Sequence, residues 1–181
     1  GQRHKREINS AKKIAEKAGC PYRILKIEFP WKGSSLLDRK MGVTRGRGSM
    51  IPATYVPGRN IIFLSFALSF AEAVNAQAIF IGAHTNDYSH YPDCRREFFR
   101  AFSKVIKTGT KAGVERGMVK IEIPLIGKGK SQIIKLGKRL GVPFELTRSC
   151  YQGGIEPCGE CDSCYFRAKG FAEAGLSDPI I

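Results

Sequence analysis

Four of the chain's six cysteines fall within fifteen residues, in the order Cys150-x7-Cys158-x2-Cys161-x2-Cys164. No other feature constrains the fold so tightly, because thiols this close in sequence converge on one centre. Zinc in structural sites takes four Cys or His ligands at tetrahedral corners, and a C-x2-C turn delivers two sulfurs to one ion by reversing the backbone over two residues. Gly153, Gly154, Pro157 and Gly159 supply the bends, and Arg148, Arg167 and Lys169 stand near enough in sequence to offset part of the thiolate charge. Iron is the competing occupant, since C-x2-C-x2-C also opens the ligation of bacterial ferredoxins. Here the remaining cysteine lies upstream and the C-P ending is absent, which favours Zn2+. A closed four-sulfur site leaves no open position for a substrate. The metal is therefore expected to staple a small helical appendage, residues 148–181, onto a larger α/β domain, residues 1–147. Cys20 and Cys94 stand alone, so the pattern suits a reducing cytosol rather than a secreted disulfide framework.

Upstream of the cluster, helical and strand patterns alternate. Ile8, Ala11, Ile14, Ala15 and Ala18 recur at helical spacing, and Gly19 and Pro21 stop that helix. "RILKIEF" alternates like a strand with one buried face. Residues 30–59, rich in Gly, Ser, Pro and Arg, show no period and read as a long loop, either functional or merely solvated. Asn60 is placed to cap an apolar helix from Ile61 to Asn75. "AIFIG" reads as a buried parallel strand, the Phe98–Ile106 stretch as a helix, "VKIEI" as a strand, "SQIIKLGKRL" as a helix, "FEL" as a last short strand and "CYFRAKGFAEAG" as a closing helix. Such alternation predicts an α/β fold with a mainly parallel sheet and helices on both faces. Ligands then sit beyond the carboxyl ends of the strands, which directs attention to the loops after Phe29, Gly82 and Ile123.

The loop after Gly82, "GAHTNDYSHYPDCRREF", gathers His84, Asp87, His90, Asp93, Cys94 and Arg95. Its carboxylates can bind Mg2+ or hydroxyls, and Arg95 can fork onto a carboxylate or phosphate. A plainer use exists for each: Asp93 as the cap of the helix starting near Arg95, the two histidines as loop hydrogen-bonders, and Cys94 as a small loop residue. Beside Arg95 and Arg96, Cys94 is also placed to act as a nucleophile. "VPGRN" puts Arg59 at a helix start, where backbone N–H groups suit an anion. The net charge of +14 is compatible with nucleic acid, with a phosphate-bearing substrate or with a solvated surface. No stretch approaches the roughly 20 apolar residues of a membrane span.

"VPGRN" before an apolar helix, "IGAHTNDYSHYPDCR", and "LGVPFELTRSCYQGG…EPCGECDSCYFRAKGFAEAG…DP" together resemble the 7-cyano-7-deazaguanine synthase family of PP-loop ATP pyrophosphatases, along nearly the whole chain. The resemblance implies adenylation of 7-carboxy-7-deazaguanine by ATP with Mg2+, amide formation with ammonia, and a second ATP-dependent activation that allows dehydration to the nitrile for queuosine or archaeosine. It implies that Cys150, Cys158, Cys161 and Cys164 hold structural zinc. It places Asp93, Cys94 and Arg95 in catalysis and Arg59, Asp87 and Tyr88 in substrate binding, in a cytoplasmic homodimer. His90 stands where the family usually has Gly. The family's phosphate-gripping SGGxDS loop falls upstream of "GQRHKRE", so a segment carrying it is expected before Gly1; "TRGRGS" follows no strand and is no substitute for its backbone N–H groups. Without that loop the chain is expected to be unable to activate a carboxylate. Two other readings compete: a zinc-stapled basic tRNA-binding module, whose affinity would fall steeply with salt, and a tRNA-thiolating PP-loop relative.

Overall fold

In a computed structural model the described residues are 5–28, 33–38, 40, 51–84, 91–115, 117 and 119–181. They form a helix-rich α/β structure with a small parallel sheet, in two compact units. One unit is Gly1–Val56 together with Lys130–Ile181; the other is Pro57–Gly129.

Helix α1, Arg6–Lys17, belongs to the first unit, and the Pro57–Gly129 unit holds α2 Arg59–Ala73, β1 Ala78–Phe80, α3 Arg96–Gly109, the short α4 Lys111–Glu115 and β2 Lys120–Glu122. β1 and β2 pair in parallel, with Ala78, Ile79 and Phe80 opposite Lys120, Ile121 and Glu122. Parallel neighbours need a crossover, and α3 with α4 supplies it. Leu64, Leu68 and Ala71 follow at i, i+4, i+7 on α2, and Phe99, Phe102 and Ile106 at i, i+3, i+7 on α3; with Ile79 and Ile121 they form the core. The other sheet face, bearing Ala78, Phe80, Lys120 and Glu122, lines a cavity of about 1130 Å³, and Phe80 is 73% exposed. The apolar "AIFIG" run is thus covered on one face among the described residues, where burial on both was expected. α2 is apolar on every side: Ile61, Phe63, Phe66, Phe70 and Val74 each remain about half exposed.

Helix α2 begins two residues earlier than its sequence suggests, at Arg59, with Gly58 as its cap in the left-handed region at φ 65°. Glycine adopts that conformation without the Cβ penalty. Asn60 is therefore inside the helix rather than its cap. At the other end Asn75, at φ 54°, closes the helix in a Schellman pattern, its N–H bonding Glu72 O and that of Ala76 bonding Ala71 O.

In the other unit, α1 ends at Lys17 as its pattern predicts, and α5 Lys130–Arg139 packs on α6 Asp162–Ala174. Gly170 permits that packing: a Cβ there would lie 2.4 Å from Lys130 Cγ and 3.0 Å from Ile134 Cδ1. Two strand expectations fail. Residues 23–28 join no ladder among the described residues, and Ile24 and Leu25 are more than half exposed. Alternation marks a strand only when a neighbour satisfies its backbone. "FEL" is a 3-10 turn, Phe144–Leu146, because Leu146 N–H turns back to Pro143 O and Thr147 donates from both N and Oγ1 to Phe144 O.

Candidate active site and metal centre

Two sets of site residues come together, one in each unit. In the Pro57–Gly129 unit, the chain leaves β1 through Ile81–His84 and returns at Tyr91 into a 3-10 turn, Pro92–Cys94, before α3. Asp93 and Cys94 are 5% and 4% exposed. Asp93 does not cap the helix that follows it. Its Oδ2 accepts the N–H of Asn60 at 3.2 Å, satisfying one of the orphan donors in the first turn of α2 from thirty-three residues away. A carboxylate at that end also meets the positive pole of the helix.

The Asn60 side chain returns the contact, its Nδ2 donating to Asp93 O at 3.1 Å and to Cys94 Sγ at 3.2 Å. Cys94 Sγ lies 3.9 Å from Asp93 Oδ1, within reach as a weak thiol donor. Arg59, half-buried, is the residue before Asn60, and Arg95, exposed and extended at φ −86° and ψ 153°, is the N-cap of α3. The structure therefore draws the "GRN" and "PDCR" segments together through an asparagine that the sequence suggested only as a cap. Asp87, Tyr88 and His90 lie outside the described residues, as does "TRGRGS". His84 is half-buried.

The four clustered cysteines meet in the other unit. Their sulfurs all lie within 4.8 Å of one another, and a tetrahedron with Zn–S bonds of about 2.3 Å has edges of about 3.8 Å. Cys158 Sγ and Cys164 Sγ are already 3.9 Å apart. Backbone donors point at the sulfurs, Cys158 N–H to Cys150 Sγ and Cys161 N–H to Cys158 Sγ, each at 3.4 Å. Soft thiolates in this arrangement fit a tetrahedral metal ion. Burial alone would raise the Cys150 thiol, but the N–H groups of Cys158 and Gln152 and the neighbouring thiols outweigh it and bring it down to about 7. Burial dominates at Cys161 and Cys164, whose pKa values are raised, with the adjoining cysteines adding to the rise at Cys164.

The loop between the first two ligands is held by arginines. Arg6 Nε donates to Gly153 O at 2.8 Å, and Arg148 Nη2 donates to Gly154 O at 2.6 Å and to Ile155 O. Cys161 is the N-cap of α6, and Cys164 lies in its first turn. One turn on, Arg167 is buried and forks onto Asp178, Nε to Oδ2 at 2.6 Å and Nη2 to Oδ1 at 2.8 Å. Its Nη1 reaches Thr147 Oγ1 at 2.8 Å, and its guanidinium lies 5.1 Å from the Phe171 ring centroid. Arg167 was legible only as a nearby charge; its partner in the final "DP" was not.

Comparison with known proteins covers almost all of the chain. Residues 1–175 match the family described as Queuosine biosynthesis protein QueC. The chain is 50% identical over 184 residues to the 7-cyano-7-deazaguanine synthase of Oceanobacillus iheyensis, spanning 99% of this chain and 82% of that protein. It is 50% identical over 182 residues to that of Desulfitobacterium hafniense DCB-2, spanning 99% and 78%. With the synthase of Thermoplasma acidophilum the identity is 48% over 184 residues, spanning 99% and 77%.

Proposed function

The chain belongs to the queuosine biosynthesis QueC family, and from that premise we propose that it converts 7-carboxy-7-deazaguanine and ammonia to 7-cyano-7-deazaguanine with ATP. The observation that carries the reading is the pairing of the Arg59–Asn60 helix start with the Asp93–Cys94 turn, in a chain half identical to enzymes of that name.

The chemistry asks for a site of this kind. A carboxylate is a poor electrophile, and transfer of AMP to one of its oxygens supplies a leaving group. Ammonia displaces AMP to give the amide, and a second adenylation, on the amide oxygen, lets AMP depart as the nitrile forms. The protein's task is alignment and charge stabilisation. In this reading Arg59 and Arg95 face the carboxylate and phosphate charge, Asp93, Cys94 and Arg95 hold the reacting centre, and Asp87 and Tyr88 contact the deazaguanine. Mg2+ accompanies ATP. Cys150, Cys158, Cys161 and Cys164 hold Zn2+, which ties down residues 148–181 and takes no part in the reaction. A homodimer completes the proposal; the exposed apolar flank of α2 supports a covering partner.

The test is turnover of 7-carboxy-7-deazaguanine with ATP, Mg2+ and ammonium, followed by mass spectrometry. Nitrile formation is expected of the complete protein, one that includes the phosphate-gripping loop. Asp93→Ala should lose turnover while keeping its metal, and Cys94→Ser should lose part of it. Wild-type rates in Asp93→Ala would remove that carboxylate from the site.

A further inference from the structure

We infer that Asn60 is a positioning residue of the active site, acting through Cys94 and Asp93 rather than touching substrate. The inference rests on the synthase reading for its kinetic consequence but on the geometry for its substance. Asn60 is 7% exposed, so its amide must be satisfied by protein. Both of its side-chain bonds go to consecutive residues of one short turn, to Asp93 O and to Cys94 Sγ. Its backbone N–H goes to the same turn, to Asp93 Oδ2. Three bonds from one residue thus fix the turn's backbone, its carboxylate and its sulfur at once.

The amide suits this task better than other side chains would. Its two N–H groups diverge at a fixed angle, so an N–H aimed at the Asp93 carbonyl leaves the other aimed at the sulfur. Cys94 Sγ receives that bond on one side and lies 3.9 Å from Asp93 Oδ1 on the other. The thiol is held between a donor and an acceptor in a single orientation. The next residue, Arg95, leaves this anchored turn in extended conformation to start α3. The direction in which Arg95 departs is thereby set by a residue on α2. Packing alone does not call for an amide here, since Leu64, one turn further along α2, is 2% exposed and belongs to the apolar core.

The decisive variant is Asn60→Leu, which keeps the number and branching of the side-chain heavy atoms and removes both donors. Two measurements are made on the purified protein. In turnover, kcat should fall about 10- to 100-fold, as expected when reacting groups are misplaced by a fraction of an ångström, with KM for 7-carboxy-7-deazaguanine changed less than about twofold. In alkylation by iodoacetamide, read by peptide mass mapping so that exposed Cys20 is counted separately, Cys94 should react several-fold faster than in the wild type. Metal content should not change. Wild-type kcat, or a lowered kcat with unchanged Cys94 alkylation, would overturn the inference. If Asn60→Leu does not fold, Asn60→Ala, which removes both donors at smaller volume, is read by the same two measurements and against the same outcomes. Should the wild type make no nitrile, the synthase reading fails, and the alkylation comparison still decides whether Asn60 holds the sulfur.

Discussion

Arg167 and Asp178 show how much a single contact can carry. Their side chains are 8% and 6% exposed, and a charge so placed is tolerable only while paired. Removing one partner strands the other, at a cost of about 3–5 kcal/mol. Asp178→Ala is accordingly expected to lower the urea midpoint far more than the double change Arg167→Met with Asp178→Ala. A single variant as stable as the wild type would show that the fork contributes nothing. Residues also set the limit of what could be read in advance. The four metal-site cysteines were legible because their spacing is a local property. Asn60 was legible as polar and near a helix start, which fits a cap; its true role depends on Asp93 and Cys94, thirty-three and thirty-four residues away. Asp93 likewise looked like the cap of the nearest helix, yet it serves a distant one.

At the scale of elements, helices were read almost to their ends and strands were not. A helix satisfies its backbone within itself, so periodicity and stop signals suffice for α1, α2, α3, α5 and α6. A strand depends on a neighbour. β1 and β2 have each other and pair in the expected parallel sense, whereas residues 23–28 show the alternation without a ladder and Phe144–Leu146 spends its backbone on a turn. The metal centre belongs to this scale too, because it sits where α6 begins. Chelation should therefore strip amide-exchange protection from α6 and from α5 packed on it, while the core amides of α3 around Phe102 and Ile106 keep theirs. Equal loss in both would show that the metal supports the whole chain alike. While the cluster's hydrogen bonds are in place, the Cys150 thiol is lowered to about 7. Its contribution to the metal-free fold, being that of a lowered acid, is present at high pH and lost as pH falls through that value. Metal affinity should weaken in the same direction, as protons compete for the sulfurs.

For the molecule as a whole, charge was the least informative property. A balance of +14 left nucleic acid, small anion and mere solvation open, and the family match points to a small-molecule enzyme without using the charge. The exposed flank of α2 is the more telling surface: Phe63, Phe66 and Phe70 on the helix and Val74 at its C-cap are each 47–52% exposed. Apolar area so concentrated marks a place of association. Sedimentation equilibrium is expected to return about twice the monomer mass, and Phe66→Glu with Phe70→Glu to shift it toward the monomer; a monomeric wild type would remove the homodimer from the proposal. Helix α6 has a last consequence. Cys161 at its N-cap and Cys164 in its first turn belong to the cysteine cluster, and its second turn carries the arginine that clasps Asp178. Two occupants that favour one arrangement of a shared helix must help each other by equal factors. With an ion in the cluster, the ion and the Asp178 contact would be reciprocal effectors: loosening Asp178 would be felt as a weaker affinity for the ion, and removing the ion would expose residues 175–181 to a protease.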